Sequence, residues 1–373
     1  MITDTKDLFE GFRNPSVIKL LAEQIAAEAK KLEKPIKIME VCGGHTHTIM
    51  KYGLPQLLPS NVSFVHGPGC PVCIMPKERI DHAMALAGCE DVILVTLGDM
   101  IKVPGSHGSL QKMRSQGGDV RFVYSPMDAL TIAKENPTKK VVYFAIGFET
   151  TTPMTAALVE RAMKEGLENL LFHVNHVLVP PPVCAIMDSG DALIDAFIGP
   201  AHVTVITGAK IYAPIVETYK TPIVASGFEP VDVLQSVLMI VQQCVAKEAK
   251  LEIQYSRSVT MEGNLAAQAM MDRVFELAPS FRWRGLGDIP HSSLKLKDHL
   301  AAFDAEVVFA DILPSTPIDD HKLCICGDIL KGKANPKECK VFGTACTPST
   351  PLGSCMVSSE GACAAYYKYG RSV

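Results

Sequence analysis

Short, almost wholly apolar, β-branched runs alternate with helix-length segments through the first 250 of the 373 residues, and no other feature restricts the fold as strongly. The runs predict strands at 36–41, 62–66, 92–97, 120–124, 141–146, 170–174, 196–198 and 223–225. Helices are expected at 77–87, 109–116, 127–135, 154–165, 210–219 and 231–248, after a first helix that starts at Asn14-Pro15 and runs to about residue 34. Asn14 is placed to cap that helix, and proline suits a first helical position. Strands that are apolar on both faces and separated by helices of this length predict a parallel α/β fold.

Eight strands are many for one sheet, and the chain contains an echo. Ala145-Ile146-Gly147-Phe148-Glu149 closes one strand and Ala225-Ser226-Gly227-Phe228-Glu229 another, each followed by a proline and an apolar helix. Two related parallel-sheet α/β domains around a cleft are therefore expected, at 1–135 (with the CGGH and CPVC segments) and 136–248. Beyond about residue 250 the alternation fades. A helix near 265–277 leads into a Cys-rich third region, 249–373, too loop-rich to be held by apolar burial alone.

Twelve cysteines are the compositional anomaly. The N-terminal stretch has neither a basic region nor an apolar core of an export leader, and no apolar run reaches the ~18 residues of a membrane span. A cytoplasmic location is expected, where thiols serve metals or redox chemistry more often than structural disulfides. Lys plus Arg total 36 against 40 Asp plus Glu, so no basic field points to nucleic acid. Phosphate-loop, nucleophile-elbow and H-E-x-x-H patterns are absent from the sequence.

Unusual polar residues fall just past the carboxyl ends of the expected strands: Cys42, Cys70, Asp99, Glu149, His176, His202 and Glu229. That edge is where open α/β sheets bind ligands, so the site is expected in the cleft between the two units. Cys42-Gly43-Gly44-His45-Thr46-His47 lets backbone approach a ligand closely, with a thiol and imidazoles at hand. Cys70-Pro71-Val72-Cys73 precedes a helix whose dipole favours thiolate, and its spacing allows an internal disulfide or two-point metal binding. In the tail, Cys326-x12-Cys339-x6-Cys346-x16-Cys363 offers four thiolates for zinc or an iron–sulfur cluster, with Cys324 and Cys355 in addition. Glu149 and Glu229 read as carboxylates at helix starts, and His173 with His176 as packed histidines.

The segments CGGHTH, GPGCPVC, GFETT, Gly199-Pro200-Ala201-His202-Val203 and EGACAAYY occur in that order along nearly the whole chain. Together they closely resemble the hydrogenase maturation factor HypD family. The resemblance implies two α/β domains around a cleft, a third region carrying a [4Fe-4S] cluster, and a part in building the Fe(CN)2CO group of nickel–iron hydrogenases. It implies that Cys326, Cys339, Cys346 and Cys363 hold the cluster, that Cys42 holds iron, and that Cys70 and Cys73 form a redox-active or iron-associated pair. His45 or His202 would donate hydrogen bonds to cyanide nitrogens. The implied partners are a small chaperone of the HypC family and a cyanide-donating protein of the HypE family, with no nucleic acid and no membrane. Two other readings of the same residues are a freestanding iron–sulfur thiol–disulfide oxidoreductase and a zinc-stapled binding protein.

Overall fold

The structure, a computed structural model, describes residues 10–370 apart from 191, 317, 319 and 320. The first nine residues of the segment read above for an export leader lie outside them. Strands β1 (Ile36–Glu40), β2 (Val62–His66), β3 (Val92–Leu97), β4 (Val120–Val123), β5 (Lys140–Gly147), β6 (Leu170–His176), β7 (Ala196–Pro200) and β8 (Ile223–Ser226) fall where the apolar runs place them. A short β9 (Leu251–Ile253) follows.

These strands form two parallel sheets, ordered β2-β1-β7-β8-β9 and β4-β3-β5-β6. Counted within its own sheet, each follows the order 2-1-3-4, the longer one adding a fifth strand. The two units are thus related in topology, and the second is inserted between the second and third strands of the first. The expected boundary at 135–136 falls inside a sheet, between β4 and β5, because sheet membership follows this insertion rather than chain order. The GFE echo does not mark equivalent places either. It follows β5, third in its sheet, and β8, fourth in its sheet.

Helices cover both sheet faces, so Val92, Ile93, Leu94 and Val95 are all fully buried. The first helix, Pro15–Ala29, is capped by Asn14, whose side chain accepts from the Ser16 N–H. It packs Ile25 and Ala29 with Val233, Leu234 and Val237 of the helix Pro230–Ala246. The helix expected at 210–219 is a 3-10 turn, Ala209–Tyr212, then Ala213–Tyr219, a break that Pro214 explains. Beyond residue 264 come the helix Leu265–Val274 and four short strands, β10 (Phe275–Leu277), β11 (Ser280–Trp283), β12 (Gly287–Pro290) and β13 (Leu294–Leu296). β11 and β12 form a hairpin. The chain ends in Cys-rich turns and the helix Ala362–Tyr369, which returns to pack on the helix Gly43–Lys51. No helix among the described residues is long and apolar enough to cross a membrane.

Candidate functional site at the meeting of two sheets

In a sheet ordered 2-1-3-4, the connections leave the first and third strands toward opposite faces, opening a crevice at their carboxyl ends. In the longer sheet that point lies between β1 and β7, and Cys42 and His202 follow those strands. In the inserted sheet it lies between β3 and β5, followed by Asp99 and Phe148. The two crevices face each other. One cavity of about 210 Å³ is lined by Cys42, Gly69, Pro71, Val72, Asp99, Phe148 and His202, with Glu360 entering from the C-terminal region. This volume is below the usual range for drug-sized ligands and suits a very small group. A larger cavity, about 580 Å³, opens around Lys34, Lys220 and Cys244 at the opposite edge of the longer sheet, away from the strand ends that carry the chemistry.

Cys42 is the N-cap residue of the helix Gly43–Lys51, and its carbonyl accepts from the His45 and Thr46 N–H groups at 2.9 and 3.1 Å. Burial pushes the thiol well above its ordinary range, and the carboxylates of Glu360 and Glu40 push it further. The free group is therefore a protonated thiol that a bound cation would convert to thiolate. Glu40, fully buried, fixes this turn. It accepts from the Cys42 N–H at 2.9 Å, from the Thr46 hydroxyl, and from His66 Nδ1 at 2.7 Å. Both ring nitrogens of His202 lie 3.9 Å from Cys42 Sγ, and burial lowers this imidazole to about 4, leaving it neutral with one N–H to donate.

His45 behaves differently. Its Nε2 sits 2.9 Å from the Gly227 carbonyl, which only accepts, so the single proton of the neutral ring is committed there. Nδ1 is left as a buried acceptor, and the ring stacks on Phe228 rather than lining the cavity. A donor role toward a ligand thus falls to His202. Phe228, which touches both His45 and His202, lies in the GFE echo and Glu360 opens the EGACAAYY segment, but neither sequence pattern assigns them a place at this site. Only the return of the C-terminal helix brings Glu360 there.

Cys70 and Cys73 are joined as a disulfide, both nearly fully buried. Their loop presses on Cys42: Gly69 accepts from the Gly43 N–H at 3.0 Å, and a Cβ at Gly69 would overlap the Cys42 backbone. On its other side the Cys73 carbonyl accepts from the Ser354 hydroxyl, one residue from Cys355.

The tail thiols gather in one place. Cys326 has side-chain hydrogen bonds with Cys324 and Cys355, and Cys355 feels Cys363 and Cys324. Cys363 is pushed far up by burial and by Cys326, Cys324, Cys346 and Cys339 around it. Cys326, Cys355 and Cys363, whose thiols burial and one another hold protonated, fit a cationic metal core that would take the place of those protons. Cys324 and Cys355, unassigned from spacing, belong to the same group.

Of the remaining strand-end residues, His176 is held by Thr155 Oγ1 at 2.8 Å, and Glu229 caps Pro230–Ala246 while pairing with Arg13. Glu149 departs from its expected role. It is buried, accepts from the Val179 N–H at 2.9 Å through Oε1, and has no hydrogen-bond partner on Oε2 among the described residues. Burial raises its carboxyl from 4.5 to about 7. Since the unfolded chain ionises near 4.5, folding stability from this group is complete below that pH and is lost as pH rises toward 7. Glu149→Gln, which keeps the acceptor, is expected to remove a decline of up to about 3 kcal/mol across that window, measured by urea unfolding at pH 5 and 7.

His82, His173 and Glu306 come close enough to suggest a metal, yet their lone pairs are spent. Asn175 Nδ2 donates to His173 Nδ1, His173 Nε2 to His82 Nδ1 at 3.0 Å, and His82 Nε2 to the Pro314 carbonyl. Arg79 takes both oxygens of Glu306 and holds Asn175 Oδ1 at 2.6 Å, which locks this order.

Residues 16–370 match the profile of a family described as "HypD: Hydrogenase formation hypA family". The chain is 51% identical over 368 residues to the "Hydrogenase expression/formation protein HupD" of Azotobacter chroococcum mcd 1, covering 97% of this chain and 96% of the relative. It is 50% identical over 368 residues to the "Hydrogenase maturation factor HypD" of Azotobacter vinelandii, with the same coverage. Against the protein of that name from Escherichia coli (strain K12) it is 46% identical over 364 residues, covering 96% of this chain and 97% of the relative. With two facing α/β units, a thiol at their meeting point and a Cys-rich tail behind it, the chain belongs to the HypD family of hydrogenase maturation factors.

Proposed function

We propose that this protein is the scaffold on which the Fe(CN)2CO group of nickel–iron hydrogenase is assembled, and that it also handles the electrons the assembly needs. The observation that carries the reading is Cys42 at the point where both crevices open into one small cavity. Iron bearing cyanide and carbon monoxide is the cargo. It calls for a soft thiolate and a site that excludes water, and Cys42 supplies the first while the buried walls supply the second. His202 is the donor placed for a cyanide nitrogen.

Cys326, Cys339, Cys346 and Cys363 would hold a [4Fe-4S] cluster, leaving Cys324 and Cys355 beside it. Such a cluster supplies single electrons. The Cys70–Cys73 disulfide takes up two electrons and two protons to become a dithiol, and its loop touches both Cys42 and the segment carrying Cys355. A chaperone of the HypC family would give iron a second thiolate, and a HypE-family protein would deliver cyanide, all in the cytoplasm. The formed disulfide also suits a freestanding thiol–disulfide oxidoreductase. Against that, Cys70 and Cys73 are 4% and 1% exposed, which denies a protein substrate access to either sulfur.

Anaerobic purification together with the small chaperone, followed by infrared spectroscopy, tests the scaffold. Bands in the cyanide and carbonyl stretching region are expected. A complex loaded with iron but without those bands would overturn the reading.

A further inference from the structure

The β11–β12 hairpin turns at Arg284-Gly285, and this turn is wedged between the two thiol groups. The Arg284 N–H donates to the Ile74 carbonyl at 2.8 Å, directly after the Cys70–Cys73 loop. Gly285, at φ 77°, lies against Gly327 so closely that a Cβ there would meet its Cα at 2.6 Å. The next residue back is Cys326. Trp283, fully buried, shares its apolar surroundings with Cys70, Cys73, Cys326 and Cys355, and its indole N–H is anchored on Ser292 Oγ at 2.8 Å. The Arg284 side chain is thus carried inward, 3% exposed, where its charge acts on both Cys326 and Cys355.

A buried guanidinium is costly unless it faces negative charge. A divalent metal ion held by four thiolates carries net negative charge, and so does an iron–sulfur core with the same ligands. We propose that Arg284 is the buried counter-charge of the C-terminal thiol group, set there by the β11–β12 turn to favour the thiolate-bound metal over the metal-free thiols. This rests on the reading above only in taking those thiols to bind a metal. It does not depend on which metal the cell supplies.

The test uses the metal-free full-length chain, zinc ion alone as probe, and competition with a chelator. Arg284→Met, similar in length and neutral, is expected to bind zinc about tenfold more weakly, the scale of one opposite charge close to an ionising group. Arg284→Lys is expected to keep most of the affinity because it keeps the charge. In a background with Cys326 and Cys355 both replaced by Ser, the difference between Arg and Met at 284 should shrink, which assigns it to the tail thiols that Arg284 faces. Should the Met chain not fold, Arg284→Gln serves as the neutral variant. Equal zinc affinity in the neutral variant and the parent, equal losses in the Lys and Met chains, an undiminished effect in the background lacking Cys326 and Cys355, or no zinc uptake by the parent each overturns the proposal. Iron and sulfide content of the anaerobically purified parent is measured alongside. Absence of iron with the charge-dependent zinc behaviour intact would sink the [4Fe-4S] reading alone. A cluster present with no effect at 284 would sink the counter-charge alone.

Discussion

The Cys42→Ala protein is expected to fold, to keep whatever iron–sulfur absorbance its parent shows, and to lose every infrared band from cyanide or carbon monoxide on iron that the proposed scaffold would give. Cys42 is 4% exposed, yet alanine removes only its sulfur, a loss of about 1 kcal/mol in a core that is otherwise unchanged. The effect on iron is of another order, since among the described residues no other thiol lines the cavity. His202, Asp99 and Glu360 remain, but nitrogen and oxygen donors do not replace a soft thiolate for iron with strong-field ligands. The freestanding oxidoreductase reading makes the opposite forecast, because it gives Cys42 no part in thiol–disulfide exchange. Infrared spectra of the complex with the small chaperone, together with reduction rates of the Cys70–Cys73 disulfide, separate the two. Retained bands in the alanine protein would remove Cys42 from the role of iron anchor.

Gly69→Ala is expected to do more damage than its single methyl suggests. The space for a Cβ at Gly69 is filled by the backbone of Val41 and Cys42, which has no rotamer to yield. The Gly43 N–H bond to the Gly69 carbonyl holds the two segments at that distance, and Glu360 closes the third side against Gly43. Accommodating the methyl requires the Cys70–Cys73 loop to leave Cys42. A stability loss of about 3 kcal/mol, the upper range for overpacking, is expected in urea unfolding. A matching loss of iron in the cavity should accompany it. As a control, Gly166→Ala adds a methyl where nothing lies within 4 Å, though at φ 66° it carries backbone strain of its own. A Gly69→Ala protein as stable as its parent would show that the loop is not pressed on Cys42.

Much of this arrangement is legible in the sequence, for identifiable reasons. β3 and β5 are recovered because strands buried on both faces are nearly continuous apolar runs, and β1, β2 and β4, which carry Lys37, Ser63 and Arg121, because β-branched and aromatic residues flank those polar positions. Which strand ends bear the site is not legible in the same way. Cys42, Asp99 and His202 face the cavity while His176 and Glu229 do not, and the difference is sheet order, set by pairing between distant segments. Once the order 2-1-3-4 is known, the choice follows from the crevice between first and third strands. Glu149 was misread for a related reason. Its place in the chain suits the start of the helix Thr152–Lys164, but its side chain accepts from Val179, the residue that opens a different helix, Pro180–Asp188, a long-range contact that local spacing does not reveal. β9 to β13 escaped notice because they are only three or four residues long, too short for period-two alternation to stand out.

The insertion has a temporal consequence as well. β1 pairs with β2 soon after both are synthesised, but its other neighbour joins at Ile38 opposite Ala196. During translation the hydrogen-bonding groups along that side of β1 must wait while the whole β3–β6 sheet emerges. That sheet is built from one continuous stretch and can form first as a unit on the ribosome. The nascent chain therefore holds an incomplete open edge for some 150 residues of elongation, ~8–30 s at ~5–20 residues per second, an interval in which a chaperone would matter most.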